Sequence, residues 1–470
     1  MTPEEFRTAG HQLVDWIADY RATIEKRPVM SSVRVGDIAA QIPPSPPQKG
    51  EPFAGMLKDL DEVILPGISH WNHPNYFAYF PSNGDLSTVL GDMVSSGFSV
   101  IGLNWQSSPA LTELEETMCD WLRQMLGLSD RWKGVIQDTA STTTLVALLS
   151  ARERSTHHSQ TRGGLQAEEA PLTVYTSNQS HSSVKKAALL AGFGLDNLQA
   201  IETDENFAVR VDLLRAAIEA DIAAGKKPCA IVAATGTTAT TGLDPIREIA
   251  ALAHEYDMWL HVDAAMAGSA MIVPEYRWMW DGVEAADSIV FNTHKWLGVV
   301  FDCSVYYVRD SEHLIRVMST NPSYLKTAAD GEAINYRDWG IPLGRRIRSL
   351  KIWFLLRDQG IEKLQARIRR DMANAQWLKR AVERAPCWEL VAPVNLQTVC
   401  LRHVPDGLTD EEVDDHNQAW ADRLNESGRA YVTPAMVKGK WMVRISIGAM
   451  RTELKHVQAL WESLQAGVHE

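Results

Sequence analysis

Residues 259–297 have the sequence WLHVDAAMAGSAMIVPEYRWMWDGVEAADSIVFNTHKWL, which contains two short apolar runs. The runs 259–262 and 288–291 are rich in β-forming residues, and each predicts a buried strand. Asp263 follows the first run directly, and Lys295 follows the second after three polar residues. Because open α/β sheets bind ligands at the carboxyl ends of their strands, a carboxylate and an amine are expected at one such edge.

This pair of residue types suits pyridoxal phosphate (PLP). A lysine amine can form a Schiff base with the aldehyde of that cofactor, and a fixed aspartate can pair with the protonated nitrogen of its pyridine ring. Taken singly, Lys295 also fits a surface lysine and Asp263 a turn residue, while His261 and His294 fit structural histidines that form hydrogen bonds. The functional interpretation therefore depends on the rest of the chain.

Strand and helix patterns alternate around this stretch. Further strands are predicted at 134–137, 172–175, 229–235 and 304–308, and helices at 142–152, 180–190 and 245–256. Their apolar runs are nearly continuous, which predicts a mostly parallel central sheet with helices on both faces. Hydroxyl and backbone amide groups at the start of the helix 142–152 make an anion site that suits a phosphate.

The N-terminal residues predict two helices. Thr2, Pro3 and Glu5 are typical of a helix start, and a second amphipathic helix is predicted over 53–64. These helices cannot bury their apolar faces on each other alone, so they must pack on the main body of the chain or on a second subunit. We predict an N-terminal helical segment at 1–85 that packs on the partner subunit.

The C-terminal part predicts a smaller α+β domain. Residues 343–346 are expected to open a long helix toward Gly360, and another helix is expected to run to about Arg384. Further helices then alternate with strands at 389–391, 397–401 and 442–447. The predicted organisation is therefore the N-terminal segment, a large cofactor-binding α/β domain at 86–352 and a small C-terminal domain at 353–470.

Composition excludes several classes of function. The net charge of −13 argues against a nucleic-acid or anionic-membrane partner. The chain shows no secretory signal pattern and no apolar run long enough to span a bilayer. Its five cysteines are scattered, without CxxC pairs or zinc-binding spacing, which predicts reduced thiols, no metal site and a cytoplasmic protein.

Motifs along nearly the whole chain resemble those of a known family. In order they are HPNYFAYFP (73–81), NWQSSPALTELE (104–115), NQSHSS (178–183), GTT (236–238), HVDAAMAGSA (261–270), FNTHKW (291–296), FDCS (301–304), YLK (324–326) and LGRRIRSLKIWF (343–354). They are similar to group II PLP-dependent decarboxylases, and most closely to aromatic L-amino-acid decarboxylases. The resemblance implies fold type I of the PLP-dependent transferases (aspartate aminotransferase-like), with PLP as cofactor and a homodimer with shared active sites. The implied reaction converts aromatic L-amino acids (tryptophan, phenylalanine, tyrosine, dihydroxyphenylalanine or close analogues) to arylalkylamines and carbon dioxide.

The resemblance also implies roles for individual residues. Lys295 would bind PLP covalently, Asp263 would keep the pyridine nitrogen protonated, and His181 would stack on the ring. Tyr324, on a lid, would protonate the substrate carbon after carbon dioxide leaves. The remaining implied contacts with the cofactor are Ala140, Ser141, Thr238, Asn292 and His294. The implied substrate contacts are Trp71, Tyr79, Phe80, Pro81, Ser82 and Gly344, with Ile101 and Leu103 contributed by the partner subunit.

The chain departs from the family pattern at three places. Met266 stands where relatives often carry an aromatic residue, and Thr293 replaces a proline. Asp138 and Thr139 replace a Gly-Ser-like pair before the predicted phosphate helix, where the carboxylate of Asp138 would repel a phosphate unless its side chain points away.

Two other functions remain as alternatives. An aromatic aldehyde synthase would decarboxylate and oxidatively deaminate its substrate; that branch typically replaces the lid tyrosine or the stacking histidine, and this chain keeps Tyr324 and His181. A non-catalytic binding protein should have lost Lys295 or Asp263, and this chain keeps both. A glutamate-type decarboxylase is disfavoured by the aromatic-rich pocket segment.

Overall fold

The computed structural model describes residues 1–320, 329 and 331–468, so the predicted lid residue Tyr324 lies outside the described residues. The chain forms two compact units. The small unit comprises Met1–Pro81, Trp377–Glu389 and Leu401–Glu470, and the large unit comprises Ser82–Gln376 and Leu390–Cys400. The three-domain division at 1–85, 86–352 and 353–470 stays a prediction.

The described residues form twelve α-helices and eleven strands. The α-helices are α1 (Pro3–Thr23), α2 (Phe53–Asp59), α3 (Leu86–Phe98), α4 (Pro109–Leu126), α5 (Ala140–Ser155), α6 (Ser182–Leu190), α7 (Val211–Ala223), α8 (Ile246–Glu255), α9 (Ser311–Met318), α10 (Ser349–Arg384), α11 (Asp410–Glu426) and α12 (Leu454–Gly467). The strands are β1 (Lys133–Gln137), β2 (Leu172–Ser177), β3 (Leu198–Ile201), β4 (Lys227–Ala234), β5 (Trp259–Asp263), β6 (Ser288–Phe291), β7 (Ser304–Val308), β8 (Trp388–Leu390), β9 (Thr398–His403), β10 (Thr433–Val437) and β11 (Lys440–Ser446).

A seven-stranded sheet forms the centre of the large unit, with the strand order β1-β7-β6-β5-β4-β2-β3. The pairs β3–β2, β2–β4, β4–β5 and β5–β6 are parallel, whereas β7 is antiparallel to both β1 and β6. Every residue of β2 and β6 is buried. The apolar side chains of these strands therefore leave water completely, each contributing about 1.5–3 kcal/mol to folding. The predicted mostly parallel sheet is confirmed.

The N-terminal helix begins as predicted. The Thr2 hydroxyl accepts the backbone N–H of Glu5, and the Thr2 N–H donates to the Glu5 carboxylate, which completes a capping box. The second predicted helix is α2, which continues as a π-helical turn over Leu60–Ile64. In α1 only Ala9 is buried, whereas Leu13, Ile17 and Tyr20 are half-buried and Phe6 is exposed, so the apolar face of this helix is only partly covered within the chain.

The long helix α10 differs from its prediction at its start. It begins at Ser349 rather than at 343–346, whereas its end at Arg384 and the break in helical dihedrals at Gly360, whose φ is +66°, agree with the two helices predicted there. The start is delayed because Arg345 is engaged elsewhere: its carbonyl accepts the N–H of Gly102, and its guanidinium pairs with Glu115. These tertiary contacts hold the residues before Ser349 out of the helix.

The second sheet has the strand order β10-β11-β9-β8. Its strands β8, β9 and β11 match predicted strands, whereas β10 (Thr433–Val437) was not predicted because it contains Pro434. All five cysteines lie in the described part of the chain and are free thiols. Among the described residues, no helix combines the length and apolar character needed to cross a membrane.

Candidate active site

Asp263 and Lys295 follow neighbouring parallel strands. Asp263 ends β5 and is paired in register with Val290 of β6. Its Oδ1 accepts the backbone N–H of Ala265 at 2.9 Å, which fixes the carboxylate at the strand end. Lys295 lies in a π-helical turn, Thr293–Leu297, directly after β6, and its own backbone is non-helical, with φ −95° and ψ −111°. Strand pairing therefore brings the two residue types to one region of the sheet.

His181 is the N-cap residue of α6 and lies close to both of these charges. Its Nδ1 accepts the backbone N–H of Ser183 at 3.1 Å and lies 2.8 Å from the Ser183 hydroxyl. Burial lowers the pKa of His181, and the Lys295 charge lowers it further, whereas the Asp263 charge opposes both effects. Because Nδ1 is an acceptor, the neutral ring carries its proton on Nε2.

The residues on either side of Lys295 are held by β7 and the segment before it. The buried Asn292 accepts the Ser304 hydroxyl at 2.7 Å. His294 Nδ1 accepts the N–H of Cys303 at 2.9 Å, and burial together with the Lys295 charge lowers the pKa of His294 to about 4. His294 is therefore neutral at physiological pH. The Thr293 hydroxyl donates to the Cys303 carbonyl at 3.0 Å, so this departure from the family pattern adds a hydrogen bond that proline could not form.

The predicted phosphate site is the first turn of α5. Its N-cap residue, Thr139, forms no side-chain cap, Ala140 is buried and Ser141 is exposed. The N–H groups of a helix start favour a bound anion when no side chain caps them. The helix start is therefore available to the phosphate predicted there.

The carboxylate of Asp138 does not remain uncompensated next to this helix start. It accepts the N–H of Thr139 at 2.7 Å. Burial disfavours the charge of Arg348, but the paired Asp302 and, more weakly, Asp138 raise the pKa of this arginine. Arg348 therefore offsets part of the negative charge of Asp138, which reduces the repulsion expected toward a phosphate.

Ile101, Leu103 and Gly344, all predicted substrate contacts, lie together. A Cβ placed at Gly344 would lie 3.5 Å from Cγ2 of Ile101. The Leu103 carbonyl accepts the N–H of Arg337 at 2.9 Å. Gly344 also lines a cavity of about 220 Å³ that extends to Asp138 and Thr142 at the start of α5. Sequence reasoning assigned no role to Glu115, whose buried ion pair with Arg345 supports this arrangement.

Thr238 lies exposed in the loop that follows β4. The loop is closed because the N–H groups of Gly236 and Thr237 both donate to the Gly242 carbonyl at 3.0 Å. At its base, the buried Asp244 accepts the N–H groups of Ala234 and Val209 at 2.7 and 2.8 Å. Burial raises the pKa of Asp244 to about 6. This residue was missed by sequence reasoning, because no local pattern marks an aspartate as buried.

The predicted aromatic segment forms a cluster within the small unit. Trp71 stacks on Tyr76 and Tyr79, with ring centroids 4.7 and 5.7 Å apart. The Arg444 guanidinium lies 4.2 Å from the ring centre of Phe80 and also donates to the Tyr79 carbonyl. Pro81 ends this part of the small unit, and Ser82 begins the large unit.

The family model described as the pyridoxal-dependent decarboxylase conserved domain matches residues 36–404. The chain belongs to the pyridoxal-dependent decarboxylase family. This result confirms the family indicated by the motifs, and it makes the chain a carboxy-lyase with PLP as its cofactor. The non-catalytic alternative is therefore disfavoured.

Several known proteins are similar to this chain over nearly its full length. Tryptophan decarboxylase 2 of Oryza sativa subsp. japonica is 40% identical, over 99% of this chain and 95% of the relative. Phenylacetaldehyde synthase of Arabidopsis thaliana is also 40% identical, over 99% of this chain and 96% of the relative. A crystal structure of Oryza sativa TDC with PLP and tryptamine has a TM-score of 0.97 and 37% identity, covering 100% of this chain and 98% of that chain. The predicted fold type I is confirmed.

The residues of this decarboxylase fit PLP. Lys295 provides an amine, and Asp263 provides a carboxylate within electrostatic reach of His181. The start of α5 provides backbone donors without a competing side-chain cap. The donor set thus matches the aldehyde, the pyridine nitrogen and the phosphate of the cofactor.

Proposed function

We propose that this decarboxylase converts aromatic L-amino acids to arylalkylamines and carbon dioxide. The observation that carries the proposal is that Asp263 ends β5 and Lys295 lies in the turn directly after the neighbouring parallel strand β6, with His181 at the start of α6 close to both. The substrate class is supported by the relatives named above, one of which is a tryptophan decarboxylase.

PLP, when bound, accepts the electron pair that remains on the substrate carbon after the carboxylate leaves. In the proposed assignment, Lys295 would bind the cofactor covalently through Nζ, and Asp263 would hold a proton on the pyridine nitrogen by charge. The neutral ring of His181, whose tilt is fixed by its hydrogen bonds with Ser183, would pack on the cofactor ring. Tyr324 would return a proton to the substrate carbon, and a closed lid would exclude water during that step.

The other contacts are proposed from the family resemblance. Ala140 and Ser141 would bind the phosphate at the start of α5, as supported by the absence of a side-chain cap. Asn292 and His294 would buttress the Lys295 turn, and Thr238 would lie near the ring. The proposed substrate contacts are Trp71, Tyr79, Phe80, Pro81, Ser82, Ile101, Leu103 and Gly344.

A homodimer with shared active sites is part of the proposal. In the large unit, α3 exposes Leu86, Leu90 and Met93, which share one face of the helix because they are four and three residues apart. Ile101, a proposed contact with the partner's substrate, is 56% exposed. A second copy covering these side chains would explain both features. The free cysteines support the proposed cytoplasmic location.

The alternative activity is that of an aromatic aldehyde synthase. It is favoured by one observation, the 40% identity to phenylacetaldehyde synthase. Retention of His181 and Tyr324 supports the amine-forming reaction instead.

One experiment distinguishes these activities. The purified holoenzyme would be incubated under air with L-tryptophan, L-phenylalanine, L-tyrosine, L-dihydroxyphenylalanine and L-glutamate. We expect amine and carbon dioxide in equal amounts from at least one aromatic substrate. Aldehyde with hydrogen peroxide would establish the alternative, and carbon dioxide from glutamate alone would refute the aromatic substrate class.

A further inference from the structure

The second half of α10, after Gly360, contacts both segments that carry the proposed catalytic groups. The Gln365 side chain donates to the Ile272 carbonyl at 2.8 Å, in the segment that follows Asp263. Arg367 and Asp371, one helical turn apart, contact the turn that contains Lys295. One rigid element therefore touches the chain on both sides of the site.

Arg367 provides hydrogen-bond donors for the carbonyl groups at the end of the Lys295 turn. Its Nη2 donates to the carbonyls of Trp296 and Leu297 at 2.7 and 2.6 Å. The chain leaves the turn at Gly298, whose φ is +97°, so these carbonyls have no following helical turn to bond to. A Cβ at Gly298 would lie 2.8 Å from Nη1 of Arg367, which shows how closely the guanidinium approaches the backbone.

Asp371 fixes the side chain next to Lys295. Its Oδ2 accepts the indole N–H of Trp296 at 2.9 Å, and both residues are fully buried. Its Oδ1 accepts Nε and Nη2 of Arg370 at 3.0 and 2.8 Å, so both carboxylate oxygens have donors. The hydrogen bond to Asp371 therefore holds the indole of Trp296 in place. This residue directly follows Lys295, whose backbone is non-helical.

We propose that Arg367 and Asp371 are positioning residues, which hold the Lys295 turn so that the lysine amine is directed at the PLP aldehyde. Neither residue is assigned contact with the cofactor or the substrate. The inference rests on the proposed role of Lys295. Charge-assisted hydrogen bonds to two adjacent carbonyls and a buried indole suit this role, because they restrain the backbone on the carboxyl side of the lysine.

The test is cofactor binding by the full-length protein, measured apart from turnover. Arg367→Met removes the donors to the turn, and we expect the Kd for PLP to rise about tenfold or more, since a small misplacement of a reacting group has large effects. The pH midpoint of the visible cofactor band should also shift. Arg369→Met is the matched control: Arg369 lies on the same helix but pairs with the exposed Glu275, so its Kd should stay within about twofold of wild type.

A milder variant covers the case in which Arg367→Met does not fold. Trp296→Phe keeps an aromatic ring but removes the N–H that donates to Asp371, and it should raise the Kd and shift the band in the same direction. Wild-type Kd and band titration in a folded Arg367→Met or Trp296→Phe variant would overturn the inference. A different failure, borohydride fixing the cofactor to a lysine other than Lys295 in the wild type, would instead refute the proposed site.

Discussion

Arg345 and Glu115 form a buried ion pair in which Nη2 of the arginine lies 2.5 Å from Oε1 of the glutamate. The same glutamate oxygen accepts the N–H of Ile136 in β1 at 2.9 Å, and the guanidinium donates to the Ile136 carbonyl at 2.7 Å. The Arg345 carbonyl accepts the N–H of Gly102 at 2.9 Å. The pair therefore joins the edge of the central sheet to the segments that carry Ile101 and Gly344.

Removal of one partner of this pair should destabilise the fold strongly. Arg345→Met leaves Glu115 buried without its counter-charge, and we expect the free energy of unfolding to fall by about 3–5 kcal/mol. The measurement is urea unfolding followed by circular dichroism. Arg346→Met is the control, because the neighbouring Arg346 pairs with Asp92 while 46% exposed and should cost less than about 1 kcal/mol. Equal losses in the two variants would contradict a special role for the buried pair.

The sequence could predict those site residues whose position depends on local pattern. Asp263 and Lys295 were found because each follows an apolar run, and strand ends are a local property. The motif resemblance supplied His181, which no apolar pattern marks. The capping box at Thr2 and Glu5 was found for the same local reason.

Residues whose roles depend on distant contacts could not be predicted. Glu115 and Arg345 are separated by 230 residues, so nothing near Arg345 indicates that it stays out of α10. Arg367 and Asp371 have the spacing of a solvated helix face, although Asp371 is fully buried. Their contacts with the Lys295 turn exist only once the helix has packed on the sheet.

Lys295 should be the residue that binds the cofactor. We expect the purified protein to be yellow and borohydride reduction to fix PLP to the peptide that contains Lys295, as read by mass spectrometry. Lys295→Ala should abolish carbon dioxide release while leaving the circular dichroism spectrum unchanged. Lys186→Ala, at an exposed lysine of α6, is the control and should keep full activity. Reduced adduct on any other lysine would show that the assignment is wrong.

His181 should make the thermal stability of the protein depend on pH at values below the ordinary pKa of histidine. Burial lowers the pKa of His181 from 6.5, so the folded protein favours the neutral ring, whose Nδ1 accepts the N–H of Ser183. This contribution to stability is fully present above pH 6.5, the ordinary pKa of histidine. It is lost as the pH falls through the lower pKa that His181 has in the folded protein. His181→Asn keeps an N-cap acceptor without a titrating ring. We expect the wild type to lose more thermal stability than this variant between pH 7 and pH 5, and identical losses would contradict the assigned cause.

The exposed apolar face of α3 should be a dimer interface. Leu90 is 48% exposed and shares that face with Leu86 and Met93. Leu90→Glu would place a carboxylate without a partner in the interface, and we expect it to weaken the dimer by about 2 kcal/mol or more, roughly thirtyfold in Kd. Ile222→Glu is the control, because Ile222 is 46% exposed on α7 and belongs to a different helix.

Sedimentation velocity across a concentration series would measure both variants and the wild type. The wild type and Ile222→Glu should sediment as dimers, and Leu90→Glu should dissociate at concentrations where they do not. Because Ile101 is proposed to contact the partner's substrate, decarboxylase activity of Leu90→Glu should fall with the dimer fraction. A wild type that is active as a monomer would contradict both the interface and the shared active site.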